Sequence, residues 1–362
     1  MNDDDLERRA WAYLSRVVEP PCPRLTQLVA DEGPVEVADM IRRGREDKEL
    51  TGSVAARREV DCAERDLEIL DRRGGRLITP DDDEWPYLSF VAFANKAVRD
   101  RPSGYPPMVL WALGPARLDD VAERAAAIVG TRACTSYGEH VAAEITAGLV
   151  ERDTAVVSGG AYGIDGAAHR AALASDGVTM AVLAGGVDVP YPSGHSALLH
   201  RVATSGLLLS EYPPGERPTR YRFLTRNRLA AALSGATVVV EAGLRSGAAN
   251  TAAWATAWNL DGTLTSTTNS PGGGRGGYTY GSANQDAMTT APGTASVRSS
   301  RSMKGRSAFH PRAVLLHWKP AWFYRMSQAI TAKGLSASVA KIWSWLNRLL
   351  KRVKLNGMHS AI

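Results

Sequence analysis

Ala125-Ala-Ala-Ile-Val129 runs straight into Gly130-Thr131-Arg132, and the same succession, an apolar run ending in small or charged residues, recurs before residue 258. Ala155–Val157 leads into Ser158-Gly159-Gly160-Ala-Tyr-Gly163, and Met180–Leu183 into Ala-Gly-Gly. Leu207–Leu209 leads into Ser210-Glu211, and Val238–Val240 into Glu241-Ala-Gly243. Each run is short and apolar at consecutive positions, as a strand buried on both faces must be, and helical stretches separate the runs. Strands of this kind form a parallel sheet covered by helices. The expected fold class is therefore α/β, a Rossmann-like sheet whose right-handed crossovers carry all the strand-end loops to one edge.

The flanks differ from this centre. In residues 1–75, Leu6, Ala10, Tyr13, Leu14 and Val17 recur at helical spacing, Pro-Pro-Cys-Pro breaks the pattern at 20–23, and Leu25, Leu28 and Val29 resume it. This predicts a small helical module, taken as SAM- or helix-hairpin-like on the family resemblance given below, ahead of an α/β domain spanning 76–258. Met108–Leu113 is expected as an edge or entry strand. After Trp258 the periodicity stops. Residues 259–300 hold 25 Gly, Ser, Thr or Asn among 42, too little apolar surface to offset the entropy of ordering, so 259–335 is expected to be a disordered, low-complexity tail. Residues 336–356 return to a helical pattern, with Ile342, Trp343, Leu346 and Leu350 on one face and Lys341, Arg348, Lys351 and Arg352 mostly on the other. That predicts a basic amphipathic helix, from which membrane contact is not expected.

Charge divides the chain at the same place. Beyond residue 258 there are 14 Lys and Arg against Asp261 and Asp286, a net +12, whereas the first 258 residues carry 29 basic and 36 acidic side chains, a net −7. So abrupt a change is what a shift of coding frame would produce. Three dispersed cysteines, no export signal and no apolar run approaching ~18 residues point to the cytoplasm.

The strand ends carry the chemistry. Gly130-Thr131-Arg132 offers a close backbone approach, a hydroxyl and a guanidinium just before a helix, and Ser158-Gly159-Gly160 with Gly163 makes a second phosphate-sized turn. Asp165 reads as the cap of the next helix and His169 as core packing. Glu241 through Gly247, with Arg245, Ser246 and Gly247, supplies a third such turn. No G-x-G-x-x-G follows the first strand and no Walker A sequence occurs, which excludes dinucleotide-dependent hydride transfer and P-loop NTP hydrolysis. Nothing in the sequence calls for a metal or a cofactor. Between residues 217 and 228, Arg217, Arg220, Arg222, Arg226 and Arg228 are interleaved with Tyr221 and Phe223, next to Asn227, in what reads as a loop. Cations that follow phosphates beside rings that stack on bases suit a single-stranded nucleic acid.

These residues resemble the DNA processing protein A family (DprA, or Smf). The resemblance is carried by Gly-Thr-Arg at 130–132 with Tyr137-Gly138, by Ser-Gly-x-Ala-x-Gly-Ile-Asp at 158–165 with Ala168-His169, and by Tyr191-Pro192. It continues through Ser210-Glu-Tyr-Pro-Pro214, Phe-x-x-Arg-Asn-Arg at 223–228 and Glu-Ala-x-x-Arg-Ser-Gly at 241–247. It implies a protein that binds single-stranded DNA without sequence preference and loads a RecA-type recombinase in DNA uptake and recombination, with no catalytic activity. It also implies that Arg132, Arg220 and Phe223 meet the strand, within a DNA-facing set that takes in the three turns and Arg222, Arg226, Asn227 and Arg228. Leu224 stands where the family usually has Pro. The later part of the family fold, to which self-association and recombinase contact are ascribed, is replaced after Trp258, which weakens the case for a homodimer. The alternative reading is a nucleotide phosphoribohydrolase of the lysine-decarboxylase-like type. Its Pro-Gly-Gly-x-Gly-Thr-x-x-Glu turn is missing, and in the nearest stand-in, Glu241 through Thr251, the acid precedes the glycines.

Overall fold

The computed structural model describes residues 3–243 and 246–258, and beyond them the backbone of two short strands at 266–267 and 314–317. Five helices come first: α1 (Asp3–Val17), α2 (Pro23–Glu32), α3 (Pro34–Arg42), α4 (Lys48–Val54) and α5 (Ala63–Asp71). Pro23 and Pro34 open their helices, where a missing N–H goes unnoticed. Asp47 caps α4 by accepting the Leu50 N–H at 2.8 Å.

The chain then enters the sheet through β1 (Gly75–Ile78), so the boundary drawn at residue 75 falls inside a strand. Two single-turn helices, α6 (Tyr87–Phe90) and α7 (Lys96–Arg99), lead to β2 (Leu110–Leu113), α8 (Leu118–Glu123) and β3 (Ala125–Val129). From there strands and helices alternate: α9 (Ser136–Val150), β4 (Ala155–Ser158), α10 (Ile164–Ala174), β5 (Thr179–Val182), α11 (Ser196–Ser205), β6 (Leu207–Ser210), α12 (Arg220–Ala232), β7 (Ala236–Val239) and α13 (Gly247–Trp258).

The strand order is β1-β2-β6-β5-β4-β3-β7. The five strands read from the apolar runs are mutually parallel, and β1 and β2 are antiparallel additions beside β6. β2 is therefore interior, not an edge: β1 covers its outer side, pairing Leu77 with Trp111 and Ile78 with Leu110. Six residues of the segment expected to lack structure also join the sheet. β8 (Ser266–Thr267) pairs with β9 (Val314–His317), and β9 lies antiparallel on β7 with Val314 opposite Val239. An apolar Val-Leu-Leu run there satisfies the outer N–H and C=O groups of β7. The rest of 259–362, including the expected helix at 336–356, lies outside the described residues.

Side chains alternate across the sheet with the strand period of two. Trp111, Ala181 and Leu208 face a core shared with Leu14, Val37 and Ile41 of the N-terminal helices. Leu110, Ala112, Met180 and Val182 face the opposite core with Leu229 and Leu233 of α12. The helical module is thus one wall of the sheet, sharing its core. Among the described residues no helix is long and apolar enough to cross a membrane.

Candidate nucleic-acid interface

The loops after β3, β4, β5, β6 and β7 converge at one edge, as parallel topology requires. The Gly130-Thr131-Arg132 turn is pinned there from both sides. The Thr131 N–H donates to the Glu241 carbonyl at 2.6 Å, and the Thr131 carbonyl accepts the Ile164 N–H at 3.2 Å. Gly130 is a glycine for want of room, since a Cβ would lie 2.4 Å from Ile164. Gly163 has φ +74° and packs so closely that a Cβ would lie 2.2 Å from the Thr131 carbonyl oxygen. Arg132 leaves this rigid turn into solvent.

One of the three anion-friendly turns is already filled by the protein's own carboxyl group. Asp165 does not cap its helix from outside: it sits in the first turn of α10, and its Oδ2 accepts the N–H groups of Gly159 (3.1 Å) and Ala161 (3.4 Å). Burial pushes the Asp165 carboxyl up, against the charge of Arg226 and those amides. Glu241 does the same at α9, where Oε2 accepts from the Thr135 N–H (2.9 Å) and hydroxyl (3.2 Å), while the Thr135 Oγ1 caps Gly138. Ser158 is fully buried, donating to the Ile128 carbonyl at 2.6 Å, and the Gly160 carbonyl faces His195 Nδ1 at 3.0 Å. In the third turn Ser246 caps α13 by accepting the Ala249 N–H, Gly247 opens that helix, and Arg245 lies outside the described residues. The carboxyls of Asp165 and Glu241 thus occupy the Gly159, Ala161 and Thr135 amides at this edge.

The arginine run is the largest revision. Residues 220–232 form α12, capped by Thr219, instead of a loop, and most of that helix is buried. Arg228 is wholly enclosed and grips Glu211 through both terminal nitrogens at 2.5 and 2.6 Å. Arg226 is buried against Gly159, donates to the Val182 carbonyl and faces Asp165, and burial pushes its guanidinium below the usual arginine value. Asn227 Nδ2 donates to the Gly247 carbonyl (3.1 Å) and to Asn250 Oδ1 (3.2 Å). Arg222 bonds Glu19 at 2.7 and 2.8 Å and Glu216 at 2.7 Å. Burial works to lower its pKa, but those two carboxylates outweigh it and hold Arg222 above its ordinary value. Arg16 extends this network into the helical module, bonding Asp66 (2.7 and 2.8 Å) and Glu216 (3.1 Å). Arg222, Arg226, Asn227 and Arg228 are therefore buried and hold α12 in place.

What stays open is a compact group. The Arg132 guanidinium lies 5.1 Å from the Phe223 ring centre, and Tyr191 lies 5.4 Å from it on a plane tilted by 50°. Arg220, three residues before Phe223 and so on the same helical face, is exposed at the first position of α12. No acid stands in that first turn, so Arg220 adds a cation to the positive end of the helix dipole, an arrangement that an anion relieves. Among the described residues Arg132, Arg217 and Arg220 form no ion pair. Tyr191 and Arg217 were not in the expected site. Arg217 was legible as part of the run, whereas Tyr191 carries no sequence signal that it would meet Phe223.

The family model described as DNA recombination-mediator protein A matches residues 76–270. A putative DNA processing protein DprA from Mycobacterium tuberculosis is 71% identical over 250 residues, which cover 69% of this chain and 64% of the relative. Protein Smf from Synechocystis is 40% identical over 192 residues, 52% of this chain and 45% of the relative. The chain thus spans less than two thirds of the length of these curated relatives. Among solved structures, DNA processing protein A from Streptococcus pneumoniae superposes with a TM-score of 0.53 at 27% identity, covering 69% of this chain and 83% of that one.

Proposed function

Because the chain belongs to the DNA recombination-mediator protein A family, the DprA/Smf proteins, we propose that its α/β edge binds single-stranded DNA without sequence preference. The observation that carries this is the group formed by Arg132 on the Phe223 ring with Tyr191 beside it and Arg220 one turn before. It combines uncompensated cations with ring faces on a rigid edge, while Arg222 and Arg228 of the run are paired with carboxylates inside the protein. Ring faces accept any base and guanidinium groups any phosphate, and Asn227, suited to reading a base edge, is consumed by α13. The role is non-catalytic: the histidines and acids nearest the edge are committed, with His169 on Thr179 at 2.8 Å and Asp165 and Glu241 on backbone amides. In the cell the bound strand would be passed to a RecA-type recombinase in the cytoplasm during DNA uptake and recombination.

Fluorescence anisotropy of a labelled oligo-dT, titrated with the full chain at two salt concentrations, tests the binding step. Arg132→Ala, Arg220→Ala and Phe223→Ala each weaken binding, the last by about 1 to 3 kcal/mol of stacking. Unchanged affinity in all three would refute the site. Recombinase loading is tested separately, by the rate at which a purified recombinase assembles on dT with and without the protein.

A further inference from the structure

Among the eight described tyrosines, Tyr87 and Tyr105 are half-buried. Tyr13 and Tyr212 are buried, whereas the four exposed ones, Tyr137, Tyr162, Tyr191 and Tyr221, each follow one of the successive parallel strands β3, β4, β5 and β6. An aromatic ring left in water on the edge where free cations gather is a surface that awaits a partner. Tyr221 spends its hydroxyl on Ser103 at 3.2 Å, and it stands two positions from Phe223, on a different face of α12. Tyr137 has no ring contact with the group. Tyr191 and Tyr162 remain.

We propose that Tyr191 and Tyr162 are further base-stacking positions, which carry a single strand past Phe223 along the loops that follow β5 and β4. Both rings are 45% exposed, and both are held. Tyr191 leans on Phe223 at 5.4 Å. Tyr162 stands edge-on to His195, 4.7 Å between ring centres, and His195 is itself buried and bonded to the Gly160 carbonyl. The Tyr162 hydroxyl fits over Gly194, where a Cβ would lie 2.5 Å from it. Neither hydroxyl has a hydrogen-bond partner among the described residues, so what each side chain offers is its ring. The occupant is a nucleic acid strand because Arg132, Arg217 and Arg220 flank the same loops without carboxylate partners in an otherwise acidic body. A row of rings between unpaired cations matches alternating bases and phosphates.

The inference rests on the single-strand reading of this edge, and its test separates the two. The full chain and its Tyr191→Ala, Tyr162→Ala, Tyr191→Phe and Tyr162→Phe variants are titrated against labelled dT and against an abasic strand of equal length. Each alanine variant weakens dT binding roughly 5- to 150-fold, the range given by one lost base stack. The phenylalanine variants stay within about twofold, because the ring that stacks is kept. Abasic binding and the salt slope stay the same throughout, because no phosphate contact is touched. Wild-type dT affinity in both alanine variants, with Arg132→Ala still impaired, overturns this inference and leaves the single-strand reading intact. Phenylalanine variants as weak as alanine ones also overturn it, as does an equal loss on the abasic strand. A wild-type chain that fails to bind dT at low salt removes both readings.

Discussion

Glu211→Gln leaves the Arg228 guanidinium with hydrogen bonds to the Tyr105 and Thr225 carbonyls, at 3.0 and 3.2 Å, but without the carboxylate that both its terminal nitrogens grip. The site has no water to compensate, since the Arg228 side chain is 0% and the Glu211 side chain 2% exposed. Stranding one member of such a pair costs about 3 to 5 kcal/mol, a large share of the ~5 to 15 kcal/mol that separates a typical fold from its unfolded state. Arg228→Met strands the carboxylate instead and should cost a similar amount. The double variant strands neither, and exchange of a buried pair for neutral groups of similar volume is often close to neutral, so it should lie within about 2 kcal/mol of the wild type. Urea unfolding followed through the buried Trp111 and Trp254 measures all four proteins. Costs that simply add in the double variant, or a single variant costing less than about 1 kcal/mol, would refute the buried-pair reasoning. The folded double variant should also keep the wild-type salt dependence of DNA binding, since Arg228 reaches no phosphate.

Arg132→Ala, by contrast, should lower the slope of log affinity against log salt by about 0.7, the value of one phosphate contact on a single strand, measured by anisotropy over a salt series. Gly163→Ala forces a Cβ against the Thr131 carbonyl in a left-handed conformation and should cost about 1 to 3 kcal/mol, seen as a lower urea midpoint together with weaker dT binding as the Arg132 turn shifts. His169 is held neutral: burial, then the charges of His195, Arg226 and Arg170, push it down from its ordinary 6.5 to about 3. Its contribution is therefore complete above pH 6.5 and is lost as pH falls through the window toward 3, at up to about 1.4 kcal/mol per pH unit. Urea midpoints at pH 7, 6 and 5 should show that slope in the wild type and a shallower one in His169→Gln.

Five parallel strands were legible because burial on both faces leaves an unbroken apolar run, as in Ala125–Val129. β1 was not, because four residues with Arg76 among them give no such run, and its pairing with β2 depends on a partner about 35 positions away. The arginines of α12 were misplaced for a related reason. Charge signals solvent unless a counter-charge is known, and the partners of Arg222 include Glu19, 203 residues away. Their presence also erased the amphipathic stripe by which a helix is recognised. Arg132, Arg220 and Phe223 were singled out in the sequence because turn chemistry and resemblance point at them directly, whereas the contact of Tyr191 with Phe223 depends on how two loops fold toward each other. Asp165 was read as a cap for the helix ahead of it, while its carboxyl turns back to the loop behind.

Asp165 and Glu241 bear on which ligands the edge admits in a cell crowded with free nucleotides. A cradle of open amides would be saturated by mononucleotides and inorganic phosphate long before a scarce single strand arrived. With those amides answered from within, a lone nucleotide meets only scattered arginines and one or two rings, each a weak hold. On the proposed reading, a polymer that engages several of them together gains an effective-concentration advantage that no monomer shares, which would make chain length itself the selected property.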